Sequence, residues 1–239
     1  MLSIIVPCYN EAANIKLLIE KFKLVADKYN NLEVLFVNNG STDKSKDVFE
    51  NELANCLNYP FRLVSIEKNI GYGFGLLRGL YLAKGDILSW THADLQTEPT
   101  DIITALRIYQ KSSDSDFKLI KGARRNRSLI DALFTLGMSL FTLIVLKVYI
   151  SDINAQPKLF SRKFFKQIEK DAPNDFSLDL YFLYHAKVKG EVLDFPVTYH
   201  NRLFGVAKGG DGSLLLKFKL MIRTIRFILD FRNKSGFSK

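Results

Sequence analysis

The chain has 239 residues, a formal net charge of +9 and a hydrophobic fraction of 47%. This length and composition are typical of one large globular domain and exclude an intrinsically disordered chain. Two cysteines, Cys8 and Cys56, are too few for a disulfide scaffold, so we expect a reducing compartment. The first residues show neither a basic segment nor a long apolar run, so we expect no secretory signal. The positive charge predicts an anionic partner, either nucleic acid, a membrane surface or a phosphorylated substrate.

Strand and helix patterns alternate over the first hundred residues. Short β-branched or apolar runs predict strands at residues 3–6, 34–37, 62–66 and 87–90. Apolar residues at helical spacing predict helices over 11–29 and 73–83, and Ser41-Thr42-Asp43 is typical of the N-cap of a helix that ends near Cys56. This alternation predicts an α/β fold, with a mostly parallel sheet flanked by helices.

Polar clusters follow three of these strands, at residues 7–11, 38–43 and 92–96. Ligands of parallel sheets bind beyond the carboxyl ends of the strands, so these clusters predict a site. The second cluster opens a helix whose free amides suit an anion, although the same residues also fit an ordinary loop and cap. In an extended segment, Asp94 and Gln96 would point to one side and suit Mg²⁺ or Mn²⁺ bound to substrate phosphates. The alternative is a polar strand end without a metal.

Four glycines lie in residues 69–79 and superficially resemble a dinucleotide-binding fingerprint. They follow the third apolar run rather than the first, and the chain has no GxxxxGK[ST] motif. Both facts disfavour a Rossmann dehydrogenase and a P-loop enzyme. We expect these glycines to let a helix approach the sheet, or a ligand, closely.

Most of the excess positive charge lies after residue 201, where nine basic and two acidic residues give a net +7. Within residues 214–232, Lys219, Arg223, Arg226 and Asp230 lie at spacings of 4, 3 and 4 on one face of a strongly apolar helix. This pattern fits a helix that lies in a membrane interface. It also fits a terminal helix that docks on the core with a solvated basic face.

A second apolar stretch covers residues 129–150. The 15 uncharged residues between Asp131 and Lys147 make about 22 Å of helix, because each residue adds about 1.5 Å. A membrane span needs about 20 apolar residues. We therefore predict an interfacial or a buried helix here, not a transmembrane helix.

Two further segments concentrate basic residues. Residues 121–127 hold four of them, and residues 200–210 combine Arg202 and Lys208 with several glycines. Flexible backbone and two cations suit a phosphate clamp, while a solvated basic loop is the alternative for both segments.

Taken in order, the motifs resemble inverting glycosyltransferases of family 2, which have the GT-A fold. The resemblance covers most of residues 2–210, and its motifs are IIVPCYNEAANI, VLFVNNGSTDKS and NIGYGFGLLRGLYLAKGDILSWTHADLQTEP. The later segments at 152–162, 176–179 and 196–208 are most similar to the polyprenyl-phosphate group, which includes dolichol-phosphate mannose synthases and bacterial undecaprenyl-phosphate sugar transferases.

The resemblance implies an arrangement of the chain into parts. Residues 1–210 would form the GT-A domain, with a nucleotide-binding half over 1–100 and an acceptor half over 101–210. The acceptor half would contain the apolar helix 129–150. Residues 211–239 would form a basic amphipathic C-terminal helix.

The resemblance also implies roles for individual residues. Donor-binding residues would be Pro7, Tyr9, Glu11, Asn39, His92 and Asp94, and phosphate-binding or acceptor-binding residues would be Arg124, Arg202 and Lys208. Asp94 and Gln96 would hold Mg²⁺ or Mn²⁺, and the catalytic residues would be Asp94 and Asp179. Asp179 would act as the base for a hydroxyl acceptor, or would simply be a helix N-terminal acid. Two positions depart from the family pattern: Asn38-Asn39 replaces an acidic pair, and His92 replaces the first acid of Asp-x-Asp.

The function implied is transfer of a sugar from a nucleotide sugar to a lipid-linked acceptor, favouring polyprenyl phosphate. The protein would lie peripherally on the cytoplasmic face of the membrane, with a membrane-spanning partner subunit or a homo-oligomer left open. The alternatives are transfer to a glycan hydroxyl in cell-surface polysaccharide assembly, and a non-catalytic homologue that binds nucleotide sugars. We expect no nucleic-acid partner, because no base-reading module is evident in the sequence.

Overall fold

The computed structural model describes residues 1–112, 115–125, 129–204 and 214–234. Within them the strands are β1 (Leu2–Cys8), β2 (Leu32–Asn39), β3 (Phe61–Ile66), β4 (Ile87–Trp90), β5 (Lys118–Arg125), β6 (Lys158–Ser161) and β7 (Glu191–Thr198). The α-helices are α1 (Ala12–Lys28), α2 (Ser45–Ala54), α3 (Tyr72–Leu82), α4 (Asp101–Lys111), α5 (Leu129–Leu146), α6 (Arg162–Ile168), α7 (Leu178–Lys189) and α8 (Leu214–Lys234).

All seven of these strands join one sheet in the order β3-β2-β1-β4-β6-β5-β7. Pairing is parallel from β3 to β4 and again between β5 and β7, whereas β6 runs antiparallel to both of its neighbours. The predicted α/β class, a mostly parallel sheet flanked by helices, is therefore confirmed. The four strands predicted from apolar runs are β1 to β4.

Helix α2 begins later than its predicted cap. The side chain of Asp43 accepts the N–H of Ser45 at 2.9 Å, and the Ser41 hydroxyl accepts the N–H of Asn10 at 3.0 Å. These polar side chains therefore stabilise the turn and tie it to the preceding loop, and the helix starts at Ser45. The predicted domain boundary at residue 210 lies outside the described residues, and the division into two halves stays a prediction.

Hydrophobic clusters cover both faces of the sheet. On one face Trp90 meets Phe182 edge-on, with 4.9 Å between ring centroids. On the other face Phe36 meets Phe22 edge-on at 5.5 Å. Such fully buried aromatic pairs supply much of the packing energy of a core. The sheet is thus a rigid base for the loops at its carboxyl edge.

The glycines of α3 allow very close packing against the sheet. A Cβ at Gly79 would lie 2.5 Å from Cγ2 of Ile5, and one at Gly75 would lie 2.6 Å from Cγ of Asn39. Both separations are too short for a real Cβ. The expectation that these glycines let a helix approach the sheet closely is therefore confirmed.

Helices α5 and α8 lie against each other. Phe134 and Phe218 meet at 5.3 Å between ring centroids, and Phe231 meets Tyr184 of α7 at 4.9 Å. Ile228 is completely buried, so α8 docks on the rest of the protein as one of the two alternatives predicted. The outer side of α5 is apolar and exposed, with Leu133 and Ile144 each 67% accessible, whereas the exposed side of α8 mixes apolar and charged residues. Among the described helices, none combines the length and hydropathy needed to cross a membrane.

Two glycine substitutions should have opposite effects on stability. Gly79→Ala should lower the free energy of unfolding by about 1–3 kcal/mol, because overpacking shifts α3 from the sheet. Gly137→Ala in α5 should raise it by about 1 kcal/mol, because alanine favours the helix and a Cβ there meets no atom within 4 Å. Urea unfolding measures both changes. Equal effects of the two substitutions would contradict close α3 packing.

Candidate active site

A cavity of about 480 Å³ lies beyond the carboxyl ends of β1, β2 and β4. This size is typical of a ligand site. Its lining includes every predicted site residue that the structure describes, namely Pro7, Tyr9, Glu11, Asn39, His92, Asp94, Gln96, Arg124, Asp179 and Arg202. Lys208 lies outside the described residues. The cavity also has a wall made by α5 and α8, the helical wall, which consists of Phe134, Thr135, Met138, Leu220, Met221, Arg223 and Thr224.

Asn10 connects the loop after β1 with the loop after β2. Its φ of +53° is left-handed, a conformation that asparagine tolerates better than most residues. Its side-chain oxygen accepts the N–H of Thr42 at 2.7 Å, and the next residue, Glu11, donates its N–H to the Ser45 hydroxyl at 2.9 Å. These bonds fix the position of Glu11 at the cavity. Sequence reasoning did not single out Asn10, although an Asn before a helix is a recognisable turn signal.

The two asparagines at the end of β2 have different roles. Asn38 accepts the N–H of Ser41 at 3.3 Å and stabilises the turn. Asn39 lines the cavity and donates to the carbonyl of Gly71 at 2.9 Å, while its own oxygen is buried without a hydrogen-bond partner. A buried acceptor without a partner is costly. An N–H group of a bound ligand would satisfy it.

The segment that carries Asp94 and Gln96 is a turn, so the expectation of an extended segment is wrong. Leu95 between them has a φ of +57°, and the N–H of Gln96 bonds Asp94 Oδ1 at 3.2 Å. The Gln96 side chain also donates to the carbonyl of His200 at 3.3 Å. The turn, not strand alternation, is what brings both side chains to the cavity.

The two described arginines predicted to bind phosphate are paired with acidic side chains. Arg202 bridges Glu11 Oε1 at 3.1 Å and Asp94 Oδ2 at 3.0 Å. Arg124 bonds Asp152 through its backbone N–H, its Nε and its Nη2. The surroundings therefore compensate both charges, which local sequence does not reveal.

Tyr72 links His92 with the deeper part of the cavity and was missed by sequence reasoning. Its hydroxyl lies 3.3 Å from Nε2 of His92, and its ring stacks on Phe176 at 4.8 Å. Burial raises the pKa of Tyr72 well above its ordinary value, and the nearby Asp179 carboxylate raises it further. The phenol therefore stays neutral and can donate its proton in a hydrogen bond.

Asp179 lies buried in the first turn of α7. Its Oδ1 accepts bonds from the Lys158 ammonium and from Gln156 Nε2, the latter at 3.1 Å. Lys158 is also fully buried and donates to the Ala155 carbonyl at 2.9 Å. Burial lowers the pKa of Lys158, and the charge of Asp179 opposes that shift. Sequence reasoning missed Lys158 as the buried ion-pair partner of Asp179.

The carboxylate oxygens of Asp94 and the side-chain oxygen of Gln96 are the candidate metal ligands. No group of three or more His, Cys, Asp and Glu side chains suited to a metal ion is found in the described part of the chain. The His92 ring lies beside Asp94, with 3.9 Å between Nδ1 and Oδ2. A single carboxylate with an amide oxygen suits a hard cation only if substrate phosphates complete its ligand shell.

Comparison with known proteins places this arrangement in a family context. The family model for glycosyl transferase family 2 matches residues 3–140. Dodecaprenyl-phosphate galacturonate synthase of Rhizobium johnstonii is 26% identical, over 96% of this chain and 64% of that protein. Undecaprenyl-phosphate 4-deoxy-4-formamido-L-arabinose transferase of Pseudomonas fluorescens is 28% identical, over 53% of this chain and 37% of that protein. The chain thus spans less than two thirds of the length of these relatives.

Solved structures share the fold. Glucosyl-3-phosphoglycerate synthase from Mycobacterium tuberculosis, in complex with Mn²⁺, UDP and glucosyl-3-phosphoglycerate, superposes with a TM-score of 0.71 at 17% identity, covering 97% of this chain and 79% of that one. The mannosyltransferase PcManGT from Pyrobaculum calidifontis, in complex with GDP-Man and Mn²⁺, gives a TM-score of 0.62 at 16% identity, covering 98% and 73%. The expected GT-A fold is confirmed by these likenesses.

The buried pair of Lys158 and Asp179 predicts strongly coupled stability effects. Asp179→Asn should lower the free energy of unfolding by about 3–5 kcal/mol, because it leaves the Lys158 ammonium buried without a counter-ion. The double variant Lys158→Gln with Asp179→Asn should recover much of that loss, because neither charge remains. Urea unfolding of both single variants and the double variant measures the coupling. Additive losses would contradict a directly paired, desolvated contact.

Proposed function

Because the chain belongs to glycosyl transferase family 2, we propose that it is an inverting glycosyltransferase that moves a sugar from a nucleotide sugar to polyprenyl phosphate. The observation that carries this proposal is the composition of one cavity. Its polar end lies at the carboxyl edge of the sheet, and its other side is the largely apolar helical wall. The relatives named as polyprenyl-phosphate enzymes support this acceptor class.

The nucleotide of the donor would occupy the polar end of the cavity. Pro7, Tyr9 and Glu11 line this end beside Asn39, whose buried oxygen has no partner. An asparagine oxygen accepts a hydrogen bond from an N–H of a base without carrying charge. This supports base recognition by Asn39 in place of the usual carboxylate.

We propose that a divalent cation, Mg²⁺ or Mn²⁺, accompanies the donor. Asp94 and Gln96 would hold it, because oxygen ligands suit hard cations and the donor diphosphate can supply the remaining ligands. Such a cation neutralises the charge that develops on the leaving diphosphate. Since His92 adds no second carboxylate, we expect the protein to bind the cation weakly in the absence of nucleotide.

The residues of the chain would then orient the reactants for direct displacement at the anomeric carbon. A phosphate acceptor is already anionic at neutral pH and needs no general base, whereas a hydroxyl acceptor does. The Lys158 ammonium and the Gln156 amide both bond Oδ1 of Asp179, so two donors already occupy an oxygen that a general base would need free. This pairing favours polyprenyl phosphate over a glycan hydroxyl.

We also propose that the protein binds peripherally to the cytoplasmic face of the membrane through the outer sides of α5 and α8. The exposed side chains described in α5 are apolar, Leu133 and Ile144 among them, and α8 adds Ile222 between exposed charged residues. Lys219 and Arg226 of α8 are exposed beside them. Apolar faces with basic neighbours bind interfaces that carry anionic lipids. That the protein has a membrane-spanning partner subunit or forms a homo-oligomer stays a prediction.

Sugar transfer to undecaprenyl phosphate tests the function directly. Labelled UDP-sugars and GDP-sugars are incubated with this lipid in detergent, and the product is separated by chromatography. We expect transfer from at least one donor, loss of transfer with EDTA, and recovery with Mn²⁺ or Mg²⁺. Asp94→Asn should lower turnover by about 100-fold or more. Transfer only to a glycan hydroxyl, or nucleotide-sugar binding without any turnover, would contradict the proposal.

Sedimentation with lipid vesicles tests the membrane surface. The double variant Leu133→Ser with Ile144→Ser should bind vesicles containing phosphatidylglycerol about tenfold more weakly or worse, because two exposed apolar side chains are lost. The control is Leu57→Ser, which alters a side chain that is 88% exposed in the turn after α2. Equal binding by all three proteins would contradict this surface.

A further inference from the structure

We infer that Arg223 of α8 binds the phosphate of the lipid acceptor. This inference rests on the proposed function but assigns a residue that the sequence motifs do not indicate. It names a subsite in the helical wall, outside the segments that carry the family resemblance. The ligand chemistry is a phosphate monoester attached to a long apolar chain.

The arginines that line the cavity differ in their exposure and in the ion pairs they form. Within the described residues these are Arg124, Arg202 and Arg223. The side chains of Arg124 and Arg202 are 13% and 17% exposed, and each is bonded to buried carboxylates at 2.5–3.1 Å. A phosphate would therefore compete with these short contacts at both guanidinium groups, and the one Arg202 nitrogen without a partner, Nε, is buried.

Arg223 is in a different situation. Its side chain is 59% exposed, and its ion pair joins Nε to Oδ2 of Asp175 at a longer separation of 3.5 Å. Asp175 is itself partly exposed, and its Oδ1 accepts the N–H of Ser177. Exposed, loosely held ion pairs contribute little stability. A phosphate that accepts two N–H bonds from the guanidinium forms a stronger contact and would displace Asp175.

The neighbours of Arg223 determine which phosphate fits. Leu220 and Met221 precede it on α8, and Phe134 and Met138 of α5 line the same cavity. A free nucleotide phosphate gains nothing from these apolar side chains, whereas an isoprenoid chain does. Thr224 donates its hydroxyl proton to the Leu220 carbonyl at 3.0 Å, so it cannot donate that proton to a phosphate. Arg223 is therefore the charged donor of the helical wall.

The same arginine lies next to the segment that ends at the reaction centre. Asp175 is followed by Phe176, which stacks on Tyr72, and the Tyr72 hydroxyl meets His92. A phosphate that replaces Asp175 on Arg223 would thus bind beside residues already assigned to the donor end. These neighbouring contacts would place the phosphate of the lipid between its apolar chain and the site of sugar transfer.

Binding of farnesyl phosphate, a soluble isoprenoid phosphate, tests the inference without requiring turnover. Calorimetry should show that Arg223→Gln weakens binding about tenfold or more, because a charge-assisted bidentate contact is lost. Arg223→Lys should recover part of the affinity. The matched control is Arg226→Gln, an exposed cation one turn further along α8 that does not line the cavity. Asp175→Asn should bind farnesyl phosphate more tightly than the wild type.

Three further measurements distinguish binding of a lipid phosphate at Arg223 from binding of a nucleotide phosphate or of phosphates at a membrane surface. Wild-type protein should prefer farnesyl phosphate to farnesol, and Arg223→Gln should leave UDP and GDP binding unchanged. Binding to anionic vesicles should fall no more for Arg223→Gln than for Arg226→Gln. The inference is overturned if the wild type does not bind farnesyl phosphate, if Arg226→Gln weakens it equally, or if nucleotide binding falls in parallel. Loss of farnesyl phosphate binding in Arg223→Gln, together with no sugar transfer by the wild type, would support this site and refute the proposed function.

Discussion

The bridge from Arg202 to Glu11 and Asp94 connects three parts of the site. Glu11 follows β1, Asp94 follows β4 and Arg202 follows β7, so one guanidinium joins loops at three strand ends. It also compensates the charges of two carboxylates that would otherwise repel each other at the polar end of the cavity. In the proposed function, Asp94 would hold a cation, which suits oxygen ligands, and Arg202 would hold a phosphate of the donor. The unliganded site is therefore already organised for a ligand of mixed charge.

A second buried pair limits the chemistry deeper in the cavity. Two charges that leave water together are stable only when each satisfies the other. Lys158 and Asp179 are both buried and bonded to each other, so a donor already occupies Oδ1 of Asp179. A hydroxyl acceptor would have to displace this donor before that oxygen could take its proton. An acceptor that brings its own negative charge avoids this difficulty.

The sequence predicts the features of the fold that are determined by residues close together along the chain. Strands β1 to β4, helix α1 and the close approach of α3 follow from apolar runs and from glycines such as Gly79, so they could be predicted. Strands β5 to β7 were not predicted. The partners of Arg202 could not be predicted, because Glu11 lies 191 residues away and charge pairing over such distances leaves no local pattern. The turn at Asp94 was mistaken for an extended segment because Leu95 gives no sign of a positive φ. Tyr72 escaped notice because its role depends on His92, which only the fold brings near.

The distribution of positive charge bears on the proposed membrane surface. The stripe of Lys219, Arg223 and Arg226 runs along one side of α8, and its middle member lines the cavity. A helix that lies in the interface holds its basic side chains at the level of the lipid phosphates. A polyprenyl phosphate has its own phosphate at that level, with its chain among the lipid tails. Arg223 could therefore contact the acceptor while the isoprenoid chain stays in the bilayer, so no lipid extraction would be needed before sugar transfer.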